Sequence, residues 1–177
     1  MTREIRGSMK TIVLIGVPGA GKSTVGVILA KTLGMNFIDT DILIQERTGR
    51  LLQELIDDRG ADAFLAIEEA TLLSLDADNT VIATGGSVVL SDRAMKHLKS
   101  RGIVLYLDIS LKEMVRRLKN ITTRGIVLFP GQSLSDMYDQ RIPLYEEYAD
   151  IRIDCSDGDF ERILEKVVDE IHKTYAD

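Results

Sequence analysis

Apolar, β-branched runs recur at Thr11–Ile15, Asn36–Asp39, Thr80–Ala83, 103–109 and Ile151–Asp154, and between them the apolar positions change to helical spacing. In Lys22–Leu33, residues Val25, Ile28, Leu29 and Leu33 fall three or four apart, and 61–75 and 160–175 keep the same period. Strands that alternate with helices predict a parallel sheet covered on both faces, an α/β fold of three layers. Local punctuation agrees. Gly34 follows the first helix as a stop, and Ser110 with Glu113 forms a capping box for a helix running to about Lys119. The pattern gives five strands and about seven helices.

One stretch, 120–133, keeps neither period. It contains Thr-Thr-Arg-Gly and Phe-Pro-Gly-Gln and reads as a long loop, the type of segment that closes over an active site as a lid. Arg124 lies within it.

Composition narrows the classes. With 177 residues, 28% of them charged, the chain suits one domain with a sizeable core. The net charge of -6, with 22 Lys and Arg spread among 28 acids, argues against a nucleic-acid partner. Cys155 is the only cysteine, which excludes an internal disulfide and reads as a small core residue. His97 and His172 are far apart and offer no zinc spacing. No apolar run is long enough for a membrane span and the start is too polar for a signal peptide, so a cytoplasmic protein with no membrane partner is expected. Gly7-Ser8-Met9 sets residues 1–8 apart as an N-terminal extension or tag remnant, leaving 9–177 as the single domain.

Residues 16–23 read Gly-Val-Pro-Gly-Ala-Gly-Lys-Ser, a phosphate loop between a strand and a helix. In that setting backbone NH groups converge on an anion, the helix N-terminus adds positive potential, Lys22 reaches terminal phosphates and Ser23 ligates magnesium. Asp39-Thr40-Asp41 closes the second strand, at the sheet end where open α/β proteins bind ligands. Residues two apart on a strand point the same way, so one carboxylate could hold Mg2+ through water while the other addresses a substrate hydroxyl; equally, one could cap the next helix. The third strand ends Ala83-Thr84-Gly85-Gly86-Ser87, where two glycines admit a ligand to the main chain or simply make a turn. It carries no acid, which leaves Asp39 as the better metal partner. Phosphoryl transfer needs cations near the transferring group, and Arg124 and Arg141 are the candidates, although taken alone either reads as a surface ion-pair partner. Arg116 and Arg117, with Glu113 four residues before the latter, read as a solvated helix face.

In order, Gly-Ala-Gly-Lys-Ser-Thr-Val-Gly at 19–26, Asp-Thr-Asp at 39–41, Ala-Thr-Gly-Gly at 83–86 and Arg-Ile-Pro-Leu-Tyr-Glu at 141–146 resemble the shikimate kinases, small P-loop kinases of the nucleoside-monophosphate-kinase type. The resemblance covers nearly the whole chain from Lys10. It implies a three-layer P-loop kinase fold with a five-stranded parallel sheet and a lid at about 120–133. It also implies that Gly19, Ala20, Gly21, Lys22, Ser23 and Thr24 hold the phosphates of ATP, that Ser23 and Asp39 support Mg2+, and that Asp41 takes the acceptor's proton. Gly85, Gly86 and Arg141 would contact the acceptor, and Arg124 would close over ATP. Such kinases are often monomers by resemblance.

Three positions depart from the family's pattern, all on the acceptor side. The family's Phe-Arg-x-x-Glu is Phe64-Leu65-Ala66-Ile67-Glu68 here, so Leu65 stands where an arginine would help hold a substrate carboxylate. Ser87 replaces a third glycine, and the lid's Arg-Pro-Leu-Leu is Arg124-Gly125-Ile126-Val127. Shikimate leads as acceptor; another hydroxy acid or polyol, such as a gluconate-like sugar acid, and a non-catalytic nucleotide-binding regulator are the alternatives.

Overall fold

The computed structural model describes residues 10–119, 125–156 and 158–176. Five strands, β1 (Thr11–Ile15), β2 (Asn36–Asp39), β3 (Thr80–Ala83), β4 (Gly102–Asp108) and β5 (Ile151–Asp154), form one sheet in the order β2-β3-β1-β4-β5. Every pairing is parallel. Strand β1 is central and buried along its whole length, which is why it reads as an unbroken apolar run.

The helices are α1 (Lys22–Leu33), α2 (Thr40–Thr48), α3 (Leu52–Leu73), α4 (Asp92–Arg101), α5 (Leu111–Leu118), α6 (Leu134–Tyr148) and α7 (Phe160–Ala176), with a short 3-10 turn at Val88–Leu90. Helices α1 and α7 pack together, while α3 meets α4 and α5 meets α6. The chain leaves β1 toward β2 on one side and later returns past β1 to β4 on the other. That reversal opens a crevice above the carboxyl ends of β1 and β3, where doubly wound sheets bind ligands.

Register aligns the ends. Asp39 pairs with Ala83 and Leu14 pairs with Ala83, so the residues that follow β1, β2 and β3 emerge at one level. The fold thereby delivers the phosphate loop, Asp39 to Asp41 and Thr84 to Ser87 to the same place.

One boundary and one cap differ from the sequence reading. The helix expected at 61–75 starts at Leu52, with a break at Gly60 (φ 82°, ψ 169°), so 52–59 forms about two turns of helix whose acidic face hid its period. Ser110 accepts from the Glu113 NH as expected, but the Glu113 carboxylate turns to Arg116 and Arg117, so only half of the capping box forms. The expected lid at 120–133 falls in part, Arg124 included, outside the described residues, while 125–133 contains no helix or strand. Its Val127 is 1% exposed and joins Ile44, Leu52, Leu55 and Phe64 in a small apolar cluster, with Leu65 packed against it.

Candidate active site

The phosphate loop owes its shape to glycine. A Cβ on Gly16 (φ 150°) would lie 2.6 Å from the Leu107 carbonyl oxygen, so no other residue lets β1 turn this close to β4. Helix α1 begins with Gly21 as N-cap, without a side-chain cap and without an acid in its first turn. Its leading NH groups and positive dipole end are therefore not masked by a carboxylate of this turn, as suits an anion. Lys22 is 8% exposed, and its ammonium donates to the carbonyls of Gly16 (2.7 Å) and Val17 (3.0 Å), which hold it over the loop.

Asp39 performs one of the tasks considered for it, the capping of α2, and stands beside Ser23. One oxygen caps α2 by accepting from the NH groups of Asp41 (3.0 Å) and Ile42 (3.2 Å); the other accepts from the Ser23 hydroxyl at 2.5 Å. Ser23 and Asp39 thus present hard oxygen donors side by side at the loop's end. Lys22, Ser23, Thr24, Asp39, Asp41 and Gly86 share the walls of one cavity of about 230 Å³. Gly19 and Gly21 line it too, while Ala20 is buried beneath the loop.

Behind that cavity lies a second layer. Gly85 is pressed against two carboxylates, since a Cβ there would fall 2.6 Å from Glu68 Oε1 and 2.9 Å from Asp41 Oδ1. Arg141 is fully buried on α6 and does not line the first cavity; its guanidinium donates to the Val127 carbonyl at 2.6 Å, and its Nε has no hydrogen-bond partner. Tyr145, one turn on, donates to the Gly86 carbonyl and stacks on Tyr106 with ring centroids 5.2 Å apart. Burial pushes the Glu68 carboxyl up to about 7, against the pull of the Ser87 hydroxyl; the nearby Asp41 pushes the same way. Burial also lowers the Arg141 guanidinium and raises the Tyr145 phenol.

Sequence reasoning missed two contacts. Arg117 is not part of a solvated face: it donates to Glu113 at 2.6 Å and to the Gly19 carbonyl at 2.9 Å, bracing the phosphate loop from α5. The Glu113 spacing was visible, but nothing local joins it to a loop 98 residues away. Arg116 does face solvent. Tyr145 was seen only as a letter of the 141–146 motif, whose period does not reveal that its hydroxyl reaches Gly86.

Comparison with known proteins agrees with this geometry. The family profile described as Shikimate kinase matches residues 18–172. A shikimate kinase of Haemophilus influenzae (strain PittEE) is 37% identical over 164 residues, 90% of this chain and 91% of that protein. One from Thermodesulfovibrio yellowstonii is 39% identical over 168 residues, covering 93% and 96%. The solved structure of shikimate kinase from Acinetobacter baumannii in complex with shikimate superposes with a TM-score of 0.86 at 31% identity, over 97% of each chain. A gluconokinase from Sinorhizobium meliloti, 18% identical with a TM-score of 0.54 over 93% of each chain, shares the fold. With a phosphate loop, an acid pair and a buried Arg-x-x-x-Tyr turn converging on one crevice, and with relatives matching along nine-tenths of its length, the chain belongs to the shikimate kinase family and is an ATP-dependent kinase.

Proposed function

We propose that the chain transfers the γ-phosphoryl group of ATP to a hydroxyl of shikimate. The acceptor oxygen attacks the γ-phosphorus in line, the bond to the β,γ-bridging oxygen breaks, and the hydroxyl proton passes to the Asp41 carboxylate. The products are ADP and a phosphate monoester. The observation that carries this reading is that Asp41 and Lys22 border one cavity, so a carboxylate and an ammonium face the same space. Backbone NH groups from Gly19 to Thr24 cradle the phosphates, and Lys22 neutralises charge on the transferring group.

Ser23 and Asp39 would hold Mg2+, for their oxygens are hard donors set 2.5 Å apart beside the phosphate loop. An ion held there would supply positive charge to offset that of the phosphates. Gly85, Gly86 and Arg141 serve the acceptor, Arg141 through its buried guanidinium. Arg124, which lies outside the described residues, is proposed on sequence grounds to close over ATP from a lid at about 120–133. The chain is further proposed to act as a single kinase domain over 9–177, as a cytoplasmic monomer. Among the described residues no helix is long and apolar enough to cross a membrane.

One observation favours a second reading. Leu65 packs against the apolar cluster of Ile44, Leu52, Leu55, Phe64 and Val127, so position 65 contributes no cation, and a different hydroxy acid or polyol would then be the acceptor. A coupled assay of ADP release, run with shikimate and with a panel of other hydroxylated acids, decides between the two. Shikimate should sustain turnover best; turnover on another acid alone would replace it.

A further inference from the structure

Glu68 is only 2% exposed, yet among the described residues its one hydrogen-bond donor is the Ser87 hydroxyl, 2.7 Å from Oε2. Its other oxygen, Oε1, has no partner. A buried carboxylate is normally met by a cation or by several donors, because water has been stripped from it. Here the position one turn earlier on α3, from which a guanidinium would reach it, is Leu65. Leu65, Glu68 and Ser87 all border a second cavity of about 250 Å³, so the space beside the carboxylate is not filled by a longer side chain. Oε1 points to the same side of Gly85 as Asp41 Oδ1, the two lying 2.6 and 2.9 Å from the place a Cβ would take. The unpartnered Nε of the buried Arg141 is the other orphaned atom of this layer.

We propose that Ser87 is a positioning residue that holds Glu68 in place of a cation at position 65, and that Glu68 so held presents Oε1 to a second hydrogen-bond-donating group of the acceptor. The site thereby selects a compound with a donor, such as a neighbouring hydroxyl, next to the hydroxyl that Asp41 addresses. This rests on the reading that Asp41 faces the acceptor. The groups around Glu68 are Asp41 from α2, Lys22 from α1, Arg141 and Tyr145 from α6, and Ser87 itself. An ionised Glu68 accepts the better hydrogen bond, so acceptor affinity rises with pH through the range where Glu68 loses its proton. Ser87 stabilises the charged form, hence its removal moves that range upward, whereas a guanidinium at 65 moves it downward.

The test uses Ser87→Ala and Leu65→Arg with two readouts. In the first, carbon-13 NMR follows the Glu68 carboxyl in the full chain without acceptor. Its midpoint should move up in Ser87→Ala and down in Leu65→Arg; an unmoved midpoint in Ser87→Ala overturns the positioning role. In the second, kcat and KM are measured for shikimate and for a deoxy analogue lacking the hydroxyl beside the reacting one. Ser87→Ala should raise KM for shikimate about tenfold, leave kcat within about twofold, and narrow the preference for shikimate over the analogue. An unchanged preference overturns the acceptor contact. If the wild type phosphorylates neither compound, the choice of shikimate falls. The same KM comparison, made on the hydroxy acid that does support turnover and its deoxy analogue, then decides the acceptor contact, while the NMR result decides the role of Ser87.

Discussion

The two halves of the crevice are built on different principles. In the phosphate-loop half the ligand-facing groups are backbone NH groups, fixed by glycines and a helix start, and a buried cation, Lys22, donates to two carbonyls. Across the crevice, the second layer consists of side chains from α3, α6 and the turn after β3, and it contains buried atoms without partners, Glu68 Oε1 and Arg141 Nε. A third such atom, Thr40 Oγ1, lies between the two aspartates. Leaving a buried polar atom unpaired costs about 1–3 kcal/mol, so such atoms persist where another constraint keeps them. The difference teaches that the phosphate-loop half depends on a main-chain geometry that particular glycines fix, whereas the second layer depends on a few side chains and changes with each of them.

The largest effect should come from Asp41, which stands between the halves. Asp41→Asn removes the proposed proton acceptor while keeping the side chain's shape, and kcat should fall by about 10²–10⁴ with ATP affinity nearly unchanged, as steady-state kinetics and nucleotide titration would show. Equal losses in both would place Asp41 in the nucleotide half instead. Next, Lys22→Met should lower kcat by roughly 10²–10³ and weaken ATP binding as well, without changing acceptor binding. A variant that loses acceptor binding alone would break the division.

The third prediction concerns the strain confined to the acceptor half. The Glu68 carboxyl is raised from 4.5 in the unfolded chain to about 7 in the fold, so the native state binds a proton that the unfolded state releases. Its contribution is fully present below about pH 4.5 and is lost as the pH climbs to about 7, a change of about 3 kcal/mol. Glu68→Gln does not titrate. Its stability relative to the wild type should therefore rise by about that amount between pH 4.5 and 8 in urea unfolding, and a constant difference would mean that Glu68 is not strained. Smallest of all, Arg117→Ala removes the brace on Gly19 and should weaken ATP binding about two- to tenfold while leaving the acceptor KM unchanged.

These contrasts also explain what could be read from the chain before its fold was known. The strands, the sheet order's consequence and the phosphate loop follow from contiguous patterns: an apolar run, glycines at fixed offsets, a helical period. Asp39 was legible because it ends a strand, and strand ends share a level in this register; Asp41 lies in the first turn of α2 and not on the extended segment expected for the pair, because Asp39 caps a helix that begins at Thr40. The second layer was not, because its contacts join distant segments: Ser87 to Glu68 across 19 residues, Tyr145 to Gly86 across 59, Arg117 to Gly19 across 98. Leu65 announced a change in the acceptor half, but only the fold reveals that Ser87 has become the partner of Glu68. The period of 52–59 was obscured by its charges and by Gly60, where a positive φ breaks the helix.

The most direct measurement is shikimate-dependent ADP release by the purified chain with ATP and Mg2+, read together with phosphorus-31 NMR of the product. The account predicts a phosphate monoester of shikimate formed one-for-one with ADP. No shikimate-dependent ADP release at millimolar concentration, with turnover on another hydroxy acid under the same conditions, would contradict it.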